Sequence, residues 1–205
     1  MRAKRQLTDQ PNATGTAADN AVLLKTMKNN ISELLNSKDL SALIKRISHE
    51  IVESTNQLDN LAIIGIKSRG DYIAQRIVKQ IEDISNDSIS FGTIDVTFHR
   101  DDYRSNLGSP KIGISEINFN VDNREIILID DVLYTGRTIR AALDEIFSYG
   151  RPKRIRLGVL VDRGHREIPI KADFVGKNLP SSLDERVEVR CDDAGSLLAV
   201  ILPSS

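Results

Sequence analysis

The chain has 205 residues, 40% of them hydrophobic and 28% charged, the proportions of one ordinary globular domain rather than a disordered or fibrous chain. Its net charge of −1 excludes a whole-chain attraction to nucleic acid, so such a partner must meet a local patch. A single cysteine, Cys191, excludes an intrachain disulfide and fits a reducing cytoplasm.

In chain order, Met1-Arg2-Ala3-Lys4-Arg5 is basic, but no apolar stretch follows it, and no signal peptide is expected. No apolar run approaches the roughly 20 residues of a membrane span. Residues 1–30 are polar and unpatterned, which predicts a mobile extension ahead of a domain over 31–205. Leu40, Leu43, Ile44, Ile47 and Ile51 recur at helical spacing and predict a helix from about Lys38 to Glu53, capped by Asn36 or Ser37. Leu61–Ile66 is short, apolar and β-branched, as a buried strand is. A helix is predicted at about Asp71–Ile84, and a strand at Phe91–Phe98 from the alternation of Ile94, Val96 and Phe98. Residues 99–120 are polar and carry Gly108, Pro110 and Gly113. A loop this long inside a compact domain is usually functional. Ile126–Ile129 reads as a buried strand, Arg137–Tyr149 as a helix stopped by Gly150 and Pro152, and Arg156–Val161 as another strand. The repeated order of strand, helix, strand argues an α/β fold with a mostly parallel sheet. Ligands of such sheets sit beyond the carboxyl ends of the strands.

The junction after Ile126-Ile127-Leu128-Ile129 carries the most chemistry. It continues Asp130-Asp131-Val132-Leu133-Tyr134-Thr135-Gly136-Arg137-Thr138. Adjacent acids are common where a strand meets a capped helix. Here they are followed by Thr-Gly-x-Thr at a helix start, and that ordered combination points to a ribose-phosphate cradle. The helix N-terminus favours a phosphate, Gly136 allows close backbone approach, and the hydroxyls of Thr135 and Thr138 donate to phosphate oxygens. Asp130 and Asp131 can accept from vicinal ribose hydroxyls. No Gly-Lys-Thr/Ser follows a glycine, so this is not a P-loop.

The segment resembles the 5-phosphoribosyl 1-pyrophosphate (PRPP) loop of the type I phosphoribosyltransferases, in the form carried by the PyrR family of uracil phosphoribosyltransferases that also regulate pyrimidine operons. Matching segments are Gly65-Ile66-Lys67-Ser68-Arg69-Gly70, Arg100-Asp101-Asp102, Val161-Asp162-Arg163-Gly164-His165-Arg166-Glu167 and Ala172-Asp173-Phe174-Val175-Gly176-Lys177-Asn178. The resemblance runs from about Leu34 to Ile201. It implies a mostly parallel sheet flanked by helices with a small hood, and a glycosyltransferase that joins uracil to PRPP, giving UMP and pyrophosphate. Mg²⁺ would arrive on PRPP, no metal being held by the protein alone. The implied setting is a cytoplasmic homo-oligomer without a membrane. A salvage enzyme only, or a transferase for another base such as hypoxanthine, are the alternatives.

Carried onto this chain, Asp130 and Asp131 position the ribose, and Val132 to Thr138 hold the 5′-phosphate. Ser68 and Arg69 lie in the loop that binds pyrophosphate. Taken alone, that loop is equally an exposed turn of solvated charge. Loops of its kind often contain a non-proline cis peptide. Arg100 opens a flexible arm that closes over the reactants and stabilises the departing pyrophosphate. His99 and Tyr103 depart from the family's pattern there, and Arg104 stands next in the same run. Arg163 and His165 fall near the base, and Asp173–Gly176 would form the hood, with the backbone of Phe174, Val175 and Gly176 reading the base edge. Too few His and Cys surround His165 for a metal site.

Residues 151–171 hold Arg151, Lys153, Arg154, Arg156, Arg163, Arg166 and Lys171 against two acids, Asp162 and Glu167. With Lys45, Arg46 and His49 of the first helix, they read either as a solvated face plus active-site cations or as an RNA-binding face. The resemblance implies the second, with pyrimidine-gene leader RNA as the partner and UMP or UTP sensed in the catalytic pocket.

Overall fold

The computed structural model describes residues 32–96, 113–191 and 197–203. The expected extension over 1–30 and the arm with Arg100 and Arg104 lie outside the described residues.

Helix α1 spans Ser37–Glu53. Asn36 closes its start: its Oδ1 accepts from the N–H groups of Lys38 and Asp39 at 2.9 and 3.0 Å, and Asp39 Oδ2 accepts back from the Asn36 N–H. Such a reciprocal box satisfies donors that helix geometry leaves over. Leu40, Ile44, Ile47 and Ile51 form its buried stripe. Strand β2, Leu61–Ile66, is buried at every position. Helix α2, Gly70–Ser85, buries Ile73, Ile77 and Ile81 and ends at Asn86, whose φ of 59° is left-handed. Strand β3 is Ser90–Ile94, β4 Glu125–Leu133, β5 Arg154–Asp162 and β6 Phe174–Asn178. Helix α3, Arg137–Tyr149, joins β4 to β5.

These five strands form one parallel sheet in the order β3-β2-β4-β5-β6. Both faces are covered. Ile127 and Ile129 share a core with α1 and α2, while Ile126 and Leu128 share the opposite core with α3. That is why these strands read as continuous apolar runs rather than alternating ones. A second, antiparallel sheet joins β1, Ser32–Leu35, to β8, Leu197–Pro203, and β7, Glu185–Cys191, in the order β1-β8-β7.

Three expectations change. The strand expected over Phe91–Phe98 starts at Ser90 and stops at Ile94. The chain returns beside it, with Thr93 and Glu116 exchanging backbone bonds and Ser115 Oγ taking the Asp95 N–H. β4 does not stop before the paired acids: it runs through them, with Asp130 facing Val159 and Leu133 facing Asp162 of β5. Asp173–Gly176 is not a hood, because Phe174 and Val175 pair in register with Gly158 and Val159 inside the main sheet. The hood is the antiparallel sheet, built mainly from the last strands of the chain.

Candidate active site

A cavity of about 850 Å³ opens at the carboxyl ends of the parallel strands, where loops lead into α2 and α3. It is lined by Lys67, Ser68 and Arg69, by every residue from Asp130 to Ile139, and by Arg163.

β4 delivers the two acids. Asp130 is 7% exposed, and its Oδ1 accepts from the Asp131 N–H at 2.9 Å. Asp131 Oδ1 accepts from the Val132 N–H at 2.7 Å, and its Oδ2 lies 3.8 Å from Arg69 Nη1. Burial pushes the Asp131 carboxyl above the usual carboxylate range, against the opposing pull of the Val132 N–H and the Arg69 charge. The pair is a set of fixed acceptors that gains from hydroxyl donors.

The next turn keeps its carbonyls away from a ligand. Leu133 O accepts from the Arg163 N–H, Tyr134 O from Arg166 Nη1, and Thr135 O from the N–H groups of Glu167 and Ile168. Arg166 is braced by Asp162, and Arg137 pairs with Glu167 at 2.7 Å. Segment 162–168 thus grips the outside of the loop. The first N–H groups of α3, which have no partner within a helix, stand beside the cavity. Gly136 enters the helix at φ 92°, a conformation costly for any residue with a Cβ. Peptide groups, hydroxyls and a helix terminus gathered in this way suit an anion.

On the other side, the Lys67–Ser68 peptide is cis. A Cβ on Gly70 would stand 2.6 Å from Ile129 O, so only glycine lets the start of α2 lie against β4. Lys67 Nζ donates to Ile114 O at 2.7 Å and lies 3.4 Å from Glu116 Oε1.

Arg163 is 5% exposed. Its guanidinium lies 4.1 Å from the centre of the Tyr134 ring and donates to Ser181 Oγ and Ser182 O. It fastens the loop at Tyr134 to the segment that leads into the hood. His165, at φ 56°, meets Ser181 O at 2.7 Å through Nε2 and the Tyr134 ring edge-on, but it does not line the cavity. Neither do Phe174, Val175 and Gly176. Phe174 is buried in the core, and the carbonyls of Val175 and Gly176 accept from Arg46 Nη2. The wall expected from them is supplied by Leu183, Glu185, Arg186 and Val187. Sequence reasoning passed these over. Their one signal is the alternation of buried Val187 and Val189 with charged neighbours.

The basic residues separate by burial. Lys45, His49, Arg151, Lys153 and Arg154 are exposed. Arg46 is held by Glu50 and the two β6 carbonyls. Arg156, part of the basic excess over 151–171, is 4% exposed. It pairs with Glu125 at 2.8 Å, donates to Ser54 and Thr55, and lies over the Phe174 ring. It is therefore a core residue and presents no charge to a partner.

Among the described residues, no cluster of three or more His, Cys, Asp or Glu gathers to hold a metal, and no helix is long and apolar enough to cross a membrane.

Comparison with known proteins places these features. Residues 30–193 match the family model of the phosphoribosyl transferase domain. The bifunctional protein PyrR of Clostridioides difficile is 49% identical over 158 residues, covering 77% of this chain and 89% of that protein. The PyrR of Staphylococcus saprophyticus is 45% identical over 169 residues, covering 82% and 97%. Among solved structures, a hypoxanthine-guanine phosphoribosyltransferase from Bacillus anthracis aligns with a TM-score of 0.60, covering 84% of this chain and 97% of that one. At 17% identity that likeness speaks for the fold alone. With its parallel sheet, its acid pair and the turn that follows them into a helix, this chain belongs to the phosphoribosyltransferase family and, within it, to the bifunctional PyrR proteins.

Proposed function

We propose that this enzyme transfers the phosphoribosyl group of PRPP to uracil, and that the same pocket senses UMP or UTP to control binding of pyrimidine-gene leader RNA. The observation that carries the catalytic reading is the pair Asp130 and Asp131 at the end of β4, set directly before the N-terminus of α3 within one cavity. In the reaction, the bond from ribose C1′ to pyrophosphate breaks and a bond from C1′ to uracil N1 forms, uracil giving up its N1 proton. Positive charge develops on the ribose ring. The protein's part is to position the reactants and stabilise charge. Asp130 and Asp131 hold the ribose hydroxyls, Val132 to Thr138 the 5′-phosphate, and Ser68 and Arg69 the pyrophosphate.

Two carboxylates at a water-accessible cavity suit Mg²⁺ that is carried mainly by substrate oxygens and water. When bound, it would neutralise charge on the leaving pyrophosphate. Asp130 and Asp131 are the residues that would meet it.

The regulatory half rests on the exposed side chains of Lys45 and His49 of α1 and of Arg151, Lys153 and Arg154 before and at the start of β5. The test of the catalytic half is direct. With PRPP and Mg²⁺, purified protein converts uracil to UMP. Conversion of hypoxanthine but not uracil would overturn the substrate assignment.

A further inference from the structure

Gly113 to Glu116, where the chain returns beside β3, are tied to the cavity wall one polar bond after another. The Gly113 N–H donates to Asp95 Oδ2 at 2.9 Å. Ile114 O accepts from Lys67 Nζ at 2.7 Å. Ser115 Oγ accepts from the Asp95 N–H at 3.1 Å. Glu116 exchanges backbone bonds with Thr93, and its Oε1 lies 3.4 Å from Lys67 Nζ. Asp95 and Lys67 both line the cavity. Packing does little to hold this segment, because Ile114 is 74% exposed and Glu116 is exposed too. Apolar anchoring begins at Ile117, which packs against the core. The course of residues 113–116 is therefore set by the polar bonds. The fit is close: a Cβ on Gly113 would collide with Asp95 Oδ2.

Lys67 joins the segment to the loop that leads into α2. Its N–H donates to Ile94 O at 2.8 Å, while its ammonium reaches Ile114 O. Backbone and side chain are thus both fixed, and Ser68 and Arg69 follow directly. An ammonium-to-carbonyl bond is stronger than a neutral one. We propose that Asp95 and Lys67 are positioning residues: they fasten segment 113–116 to the cavity wall and through it hold residues 67–69 in the geometry that receives PRPP. The proposal rests on the phosphoribosyl-transfer reading above and assigns a task to two side chains that reading leaves without one. A loop ordered before its ligand arrives need not be ordered on binding, and the difference appears as affinity.

The test is a double-mutant cycle read by steady-state kinetics, with inorganic pyrophosphate as product inhibitor. Gly113→Ala breaks the tie from the segment side without altering a residue of the cavity lining, and Lys67→Met breaks it from the loop side. Each raises the KM for PRPP and the pyrophosphate inhibition constant about fivefold, the order expected for one side chain's worth of ordering, with the KM for uracil unchanged. Because both act through one segment, the double variant loses no more than the larger single one. Asp95→Asn, which keeps an oxygen for the Gly113 N–H, loses less than Asp95→Ala. Losses that multiply in the double variant overturn the proposal, since Lys67 then acts on the ligand by itself. So do PRPP and pyrophosphate constants close to wild type in Gly113→Ala and Asp95→Ala, or a loss that falls equally on uracil and follows the melting temperature. Wild-type protein that neither transfers from PRPP nor binds pyrophosphate overturns the functional reading and the proposal with it.

Discussion

Asp131 is an acid set largely buried in the wall of the cavity, and burial of its charge costs the folded protein stability. Its pKa is raised by burial, so the group protonates more readily in the native protein than in the unfolded chain. A group raised in this way contributes stability that is present at low pH and is lost as pH rises through its folded pKa. At neutral pH the ionised carboxylate therefore weakens the ligand-free protein. Asp131→Asn keeps an oxygen for the Val132 N–H and removes the buried charge. Its ligand-free melting temperature at pH 7 is expected at or above that of wild type, with the difference shrinking as pH falls. The same change removes a charged acceptor for ribose, worth about 1.5–3 kcal/mol, so kcat/KM for PRPP is expected to fall about 10- to 100-fold. A scan of melting temperature against pH, paired with kinetics, checks both. A variant that is both less stable and fully active would show that Asp131 is structural. Asp130, with its carboxylate bonded to the Asp131 N–H, shares the acceptor role from a more buried position.

At the scale of elements, helices and buried strands were legible because their signals are local. The stripe Leu40, Ile44, Ile47, Ile51 predicts α1, and the run Leu61–Ile66 matches β2 at both ends. The turn from Asp130 to Thr138 was legible as a strand leading into a helix start, and the structure sets all of it along one cavity. The wall from Leu183 to Val187 was not. It asks only for a strand on the antiparallel sheet, and many sequences satisfy that. The misplacement of Phe174 to Gly176 has a related cause. An apolar strand at the sheet edge and a hood segment share one composition, and only pairing with β5 and the bonds from Arg46 decide between them. Where α2 meets β4 the constraint is backbone against backbone. Gly70→Ala places a methyl 2.6 Å from Ile129 O, and neither partner is a flexible side chain. The expected cost is about 1–3 kcal/mol, which lowers the melting temperature by about 2–4 °C per kcal/mol for a domain of this size. Because the displaced element carries Arg69 and faces Asp130, activity with PRPP should fall as well. Calorimetry showing a wild-type melting temperature would mean that the junction has slack.

Across the whole molecule, the parallel sheet sets the exposed cations of Arg151 and Arg154 at one end and the acid pair at the other. Arg154 faces Glu125 at the start of the β4–β5 ladder, and Val159 faces Asp130 five residues on. At about 3.3 Å per residue, that is roughly 16 Å of strand between the exposed cations and the acid pair. Neither Arg151 nor Arg154 lines the cavity, and both are exposed. Reversing their charge in an Arg151→Glu, Arg154→Glu variant is therefore expected to leave uracil transfer near wild type while weakening leader-RNA binding. Each phosphate that is no longer neutralised keeps its counterions, so the slope of log affinity against log salt should flatten by about 0.7 per phosphate for a single-stranded target. Titrations at several salt concentrations separate this from a general loss of folding, which would leave no transfer activity either. UMP strengthens RNA binding only if the RNA-competent state holds the nucleotide more tightly, because a ligand shifts an equilibrium through differential affinity alone. By reciprocity, RNA then tightens UMP binding by the same factor. Equal RNA affinity in variant and wild type at every salt concentration would remove Arg151 and Arg154 from the interface. Wild-type protein that binds no leader RNA under any condition would leave the transferase reading standing without the regulatory one.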